Sequence, residues 1–258
     1  MTTQIRLDTA DGIAHITFAR PHRLNAFDFD MGQQYRDACV AAVSSPHTRA
    51  ILITAEGPAF CAGGDVLAMA GAGVAGSEVT DGAHVIHAGI AALTGSAIPV
   101  VVAARGAVAG GGIGLMLAAD YVVAGEDLRL AGKYADIGLT PDLGVSALLA
   151  QAVGERRALT LLLTPRELDS AAALEWGAVA EVVADPEARA EQIARQWATG
   201  AAGALGHAKR LVRASSQRTF ADSLEDEARS IGRAFDGEEA RGRVAAFAAA
   251  SAARGGTR

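Results

Sequence analysis

The stretch from Ile98 to Asp120 constrains this chain most. Pro99 opens the run Val100-Val101-Val102-Ala103-Ala104, and Arg105-Gly106 closes it. A short β-branched run with such boundaries predicts a buried strand. Beyond Ala107-Val108-Ala109 come Gly110-Gly111-Gly112 and then Ile113-Gly114-Leu115-Met116-Leu117, apolar and almost free of β-branching, which suits a buried helix. A strand that feeds a helix through glycines leaves free N–H groups at the helix start. Those groups and the helix dipole favour an anion or a developing oxyanion. Glycine lets a foreign oxygen approach the backbone, and it also serves plain tight packing of helix on strand. The dinucleotide fingerprint fits poorly, because Leu115 stands where its third glycine belongs, and no Gly-Lys-Ser/Thr follows for a P-loop.

The rest of the chain alternates strand and helix signals. Ile5 to Phe18 reads as a hairpin turning at Asp11-Gly12. Asp28 or Asp30 caps a helix to about Ser44, and Ala50 to Thr54 is a buried strand. Ala59-Phe60-Cys61-Ala62-Gly63-Gly64-Asp65-Val66 forms a second strand-to-glycine-to-helix junction. Gly71 to Gly76 reads as a mobile loop, with Asp81 capping the helix that follows it. Tyr121 to Ala124 is a strand, Lys133 to Gly144 a loop, and Val145 to Val153 and Glu155 to Leu163 two apolar helices. Asp169 or Ser170 caps a helix ending at Trp176-Gly177, then comes a strand at Val179 to Val183 and a helix opened by Asp185-Pro186. After Gly200 only helices remain, about 204–214, 220–235 and 238–254. The pattern predicts an α/β core over 1–200 and a helical region over 201–258.

Composition excludes several classes. A net charge of −6 without a basic cluster argues against a nucleic-acid face. Cys39 and Cys61 are the only cysteines, so a disulfide framework is not expected and a reducing compartment is. The start, Met1 to Arg6, lacks the apolar core of a signal peptide. The uncharged stretch Gly82 to Ala104 is broken by His84, His87, Thr94, Ser96 and Pro99, so a membrane span is not expected. These features predict a soluble cytoplasmic protein; separately, no resident metal or cofactor is expected.

The two glycine junctions, in their order and spacing, resemble those of the crotonase superfamily of enoyl-CoA hydratases and isomerases. The resemblance extends through Arg20-Pro21 to Leu24-Asn25-Ala26, Ala59 to Gly63, Gly138-Leu139-Thr140-Pro141, Ala173 to Val179 and Ala208-Lys209-Arg210-Leu211. It implies an α/β spiral of ββα units with a C-terminal helical trimerisation region, giving a homotrimer or a dimer of trimers. It also implies an acyl-CoA substrate, with coenzyme A entering as part of the substrate, and a thioester oxygen held by the N–H groups of Gly64 and Gly111. By the same resemblance Arg23, Ala62, Gly64, Asp65 and Gly111 meet the CoA thioester. Asp65 caps the next helix, and Arg23 suits a phosphate.

The departures point to the chemistry. The usual hydratases of this family carry glutamates where this chain has Gly114 and Tyr134, and neither residue activates water as a carboxylate does. The chain offers Asp142 instead, directly after Pro141, where isomerase-like members and a dehalogenase carry an acid. Asp142 also reads as an N-cap for Val145 to Val153. Tyr134 lines the acyl pocket or hydrogen-bonds the base. Asp136 is the reserve carboxylate, Cys61 a small buried side chain, and His84 and His87 packed or exposed residues of a helix. The expected function is isomerisation of an unsaturated acyl-CoA, with Asp142 moving the proton. Hydration, thioester hydrolysis or dehalogenation, and a non-catalytic CoA-binding scaffold are the alternatives.

Overall fold

The computed structural model describes residues 2–255. Strands β1 (Ile5–Ala10) and β2 (Ile13–Phe18) form the hairpin. Its turn places Asp11 at φ 52° and Gly12 at φ 78°, the left-handed pair that matches the twist of two antiparallel strands. β3 (Ala50–Ala55), β4 (Val100–Ala104), β6 (Tyr121–Gly125) and β9 (Glu181–Val183) continue the sheet in parallel, in the order β1-β2-β3-β4-β6-β9.

The central strands are buried on both faces, which explains why β4 reads as an unbroken apolar run. Alternation along them sorts two cores. Leu52, Val101, Ala103 and Val123 pack with Ala190, Ile193, Ala194 and Ala198 of α8 (Pro186–Thr199). On the opposite face Ile51, Ile53, Val100 and Val102 join Phe18, Tyr35 and Ile90 in the larger core. Tyr35 belongs to α1 (Phe29–Ser44), capped by Asp28 through the Met31 N–H at 2.8 Å, and Ile90 to α3 (Gly76–Gly95).

A second sheet, β5-β7-β8, is made of β5 (Ala107–Ala109), β7 (Arg129–Ala131) and β8 (Glu167–Asp169). The chain passes from one sheet to the other at Gly106, at φ 55°, where a Cβ would lie 1.8 Å from the Pro58 carbonyl oxygen. The strand that feeds the triple glycine is therefore β5, and not the apolar run of β4. Short strands of this kind carry too few residues for a period to show. α2 (Val66–Ala72) and α3 narrow the expected loop at Gly71 to Gly76 to the three residues 73–75. α2 ends at Gly73, at φ 63°, and α3 starts before Asp81, with the Glu78 carboxylate accepting from the Ala75 N–H at 2.9 Å.

The helices α4 (Gly111–Leu117), α5 (Val145–Val153), α6 (Glu155–Leu163) and α7 (Ser170–Trp176) precede α8. The tail holds α9 (Ala202–Ser215), α10 (Phe220–Phe235) and α11 (Glu238–Gly255). α9 is fixed to the core by Lys209, whose ammonium donates to the carbonyls of Leu93 (2.8 Å) and Ile98 (2.7 Å) and pairs with Asp120 at 2.9 Å.

Candidate active site

The two glycine junctions lie side by side. Phe60 N–H donates to Arg105 O (2.9 Å) and Cys61 N–H to Ala107 O (3.2 Å), while Ala109 N–H returns to Cys61 O (3.0 Å). This lays the chain before Gly63 along β5. Gly63, at φ 99°, brings the junctions together: a Cβ there would sit 3.0 Å from Ala109 O and 3.6 Å from Gly111 N. From the other side Phe27 N–H reaches Gly63 O and Asp65 N–H reaches Phe27 O, both at 2.8 Å, which brackets Gly64. The N–H groups of Gly64 and Gly111 have no acceptor among the described residues. Gly111 opens α4, so its N–H is one of the helix's unmatched donors.

The loop before α5 brings a carboxylate to the same place. A Cβ on Gly111 would lie 3.3 Å from Asp142 Oδ1. The Tyr134 hydroxyl donates to Asp142 Oδ1 at 2.5 Å and accepts the Asp142 N–H at 3.2 Å. Tyr134 is buried, and burial together with the Asp142 charge pushes its phenol well above the ordinary value. It therefore stays protonated and donating. Asp142 Oδ2 has no protein donor among the described residues, and the residue is exposed. Asp142 does not cap α5 with its side chain. The N-cap is Gly144, without a side-chain bond, and the turn is closed by Val145 N–H on the Asp142 backbone oxygen at 2.9 Å.

The enoyl-CoA hydratase/isomerase family profile matches residues 8–252. The chain belongs to the enoyl-CoA hydratase/isomerase family. It is 32% identical to 1,2-epoxyphenylacetyl-CoA isomerase of Escherichia coli K12, with 92% of each chain covered. It is also 32% identical to 4-chlorobenzoyl coenzyme A dehalogenase-2 of an Arthrobacter species, over 88% of this chain and 84% of that one. An enoyl-CoA hydratase structure from Polaromonas sp. JS666 superposes with a TM-score of 0.89 at 28% identity, covering 95% and 96% of the two chains. The fold is the crotonase fold of this hydratase/isomerase family.

Against that family pattern, Gly114 has a physical reason to be glycine. A Cβ there would lie 2.0 Å from the Leu143 carbonyl oxygen. The loop that presents Asp142 therefore occupies the space that a glutamate at 114 would enter. Leu143 itself sits at φ 47° and Gly144 at φ 79°, a left-handed pair wedged between α4 and α5.

The other residues singled out in the sequence hold the framework. Asp65 is buried and caps α2 through Ala68 N–H at 3.0 Å. It also accepts from Arg23 Nη2 at 2.7 Å and Arg20 Nη1 at 2.8 Å. The Arg23 hydrogen bond, aided by Ala68 and Arg20 and opposed by burial, holds this carboxyl well below the usual carboxylate range. Asp65 thus fixes the entry to Gly64 while leaving Arg23 partly open to solvent. Ala62 N–H is held by Leu24 O at 3.0 Å, and the buried Asn25 amide ties the same loop to Glu56 O and Ala59 O. Asp136 is exposed and pairs with Lys133 at 3.7 Å. Burial pushes the Cys61 thiol up to about 12, so it is a small buried group and no nucleophile.

Sequence reasoning read His87 only as a packed or exposed helix residue, and the structure gives it a specific partner. Its Nε2 accepts the Leu143 N–H at 3.1 Å, which connects α3 to the Asp142 loop. The His84/His87 pair was visible as an i,i+3 repeat, but nothing near it in sequence names the loop it meets. No helix among the described residues is long and apolar enough to cross a membrane.

Proposed function

We propose that this chain isomerises the double bond of an unsaturated acyl-CoA, with Asp142 as the single acid–base group. The observation that carries this reading is the Leu143 carbonyl packed on Gly114. It closes the space of one hydratase glutamate while presenting the Asp142 carboxylate beside Gly111. In the reaction Oδ2 takes a proton from C2 of a 3-enoyl thioester and the electron pair moves onto the thioester oxygen. The N–H groups of Gly64 and Gly111 stabilise that enolate, each by about 3 kcal/mol on the scale of other oxyanion holes. Return of the proton at C4 leaves the 2-enoyl product and regenerates the carboxylate. Tyr134 holds Oδ1 and so keeps Oδ2 turned to the substrate. Coenzyme A enters and leaves with the substrate, and Arg23, paired with Asp65 but partly open to solvent, would meet one of its phosphates.

A second reading rests on the Asp142 carboxylate, whose Oδ2 no protein donor holds among the described residues, and on the dehalogenase relative. In it Asp142 attacks an aryl carbon, chloride leaves, and water then cleaves the aryl ester. One panel separates the readings: purified protein with a 3-enoyl-CoA, a 2-enoyl-CoA and 4-chlorobenzoyl-CoA. The proposal expects 3-enoyl-CoA converted to 2-enoyl-CoA without water addition. Hydration of the 2-enoyl-CoA overturns it, chloride release moves the assignment to the second reading, and binding without turnover identifies a scaffold.

We also infer a homotrimer, or a dimer of trimers, in the cytoplasm. Phe220, Ile231, Phe235 and Phe247 of α10 and α11 are 79, 72, 64 and 71% exposed in the single chain, an apolar face that a partner copy would cover. The free, buried thiols of Cys39 and Cys61 suit a reducing compartment. Light scattering on the intact chain is expected to give three or six times the single-chain mass. Truncation before Phe220 should give monomers or aggregates, and an unchanged trimer-sized species in that variant would sink the idea.

A further inference from the structure

We propose that His87 is a positioning residue, whose neutral Nε2 holds the left-handed Leu143 turn and so aims the Asp142 carboxylate at the space beside Gly111. The inference deepens the proposed reading and rests on Asp142 being the base. Leu143 adopts φ 47°, a conformation that a side chain without local hydrogen-bonding groups takes up only when its surroundings impose it. Three contacts impose it here. The Leu143 carbonyl lies against Gly114, and its Cδ1 would be 2.6 Å from a Cβ on Gly111. Its N–H is bound by His87 Nε2 at 3.1 Å. The first two contacts only exclude alternatives by bulk, whereas the third is directional and fixes the peptide plane that joins Asp142 to Leu143.

α3 is a firm base for this contact. Ile86, Gly89 and Ile90, which flank His87, are buried, and a Cβ on Gly89 would meet the Tyr35 ring at 2.8 Å. Tyr134 fixes the carboxylate end of Asp142, and His87 fixes the backbone just after it. The pair leaves the side chain little freedom. Because Nε2 accepts a hydrogen bond, its lone pair is engaged and the ring proton sits on Nδ1. In this geometry His87 serves as an acceptor and has no free lone pair at Nε2 with which to activate water.

The test compares His87→Ala with His87→Gln, because a glutamine side-chain oxygen can still accept the Leu143 N–H but cannot act as a base. The substrate is a 3-enoyl-CoA, and Asp142→Asn is measured beside them. His87→Ala is expected to lower kcat by about 10-fold or more with little change in KM, the scale of a misplaced catalytic group. His87→Gln is expected to recover most of that loss. Equal loss in both variants overturns positioning through this hydrogen bond. Wild-type kcat in His87→Ala with an inactive Asp142→Asn overturns this inference while the function stands. Wild-type rates in Asp142→Asn overturn both. Amide exchange on the unmutated protein adds a measurement that needs no variant. The Leu143 N–H should exchange at least about 100-fold more slowly than an open loop amide, and exchange at the open-loop rate would overturn the contact.

Discussion

Asp142→Asn is expected to lower 3-enoyl-CoA turnover by about 100-fold or more, the usual scale for loss of a general base. The carboxamide keeps the size of the side chain, and its oxygen can still accept from the Tyr134 hydroxyl at the Oδ1 position. Stability should change little, because the N-cap of α5 is Gly144 and no capping bond depends on the Asp142 side chain. A kinetic collapse without a shift in unfolding midpoint is thus the signature of a base. Near-wild-type turnover would exclude Asp142 as the base and move the assignment to Asp136 or Tyr134.

Gly111→Val is the second large effect, expected to remove turnover of every acyl-CoA, by at least about 100-fold on the scale of losing one oxyanion donor. α4 begins with this residue, and its conformation is one that other residues adopt, so the helix itself tolerates a side chain. The space does not. The first added carbon meets Leu143 Cδ1 at 2.6 Å and Asp142 Oδ1 at 3.3 Å, and the valine methyl groups extend further into the same loop. The damage is therefore double: the thioester loses its approach to the N–H, and the Asp142 turn is pushed away. Circular dichroism should show the helices retained while the loop gives way. Retained activity would count heavily against Gly111 as a donor.

Much of this fold was legible because local rules decide it. Asp11-Gly12 demands its turn, Asp28, Asp65 and Asp169 cap the helices they precede, and Gly154 separates two helices at φ 82°. The α5 and α6 boundaries follow from the same signals. The second sheet was hidden because each of its strands has three residues, and their pairing is with distant parts of the chain. The start of α3 was hidden for another reason, since Ala75 offers no capping side chain and Glu78 does the work from inside the helix. Gly64, Gly111, Asp142 and Tyr134 could be read from spacing and family resemblance, and the structure gathers them around the N-terminal end of α4. His87 could not, because its partner is a backbone N–H 56 residues away, and backbone donors carry no sequence signal.

Two arrangements of acid cannot coexist in this scaffold. The Leu143 carbonyl, 2.0 Å from where a Cβ on Gly114 would stand, links the identity of a helix residue to the path of a loop 29 residues further along the chain, beyond β6 and β7. Installing a glutamate at 114 alone would eject the Asp142 turn before any new chemistry began. Redesigning the loop alone would discard the carboxylate and leave an empty slot beside α4. A change of reaction type therefore has to pass through variants that are poor at both, or alter loop and helix together, as tightly coupled neighbours require. Selection or engineering that samples single substitutions should find this chain's substrate range easier to shift than its acid–base design.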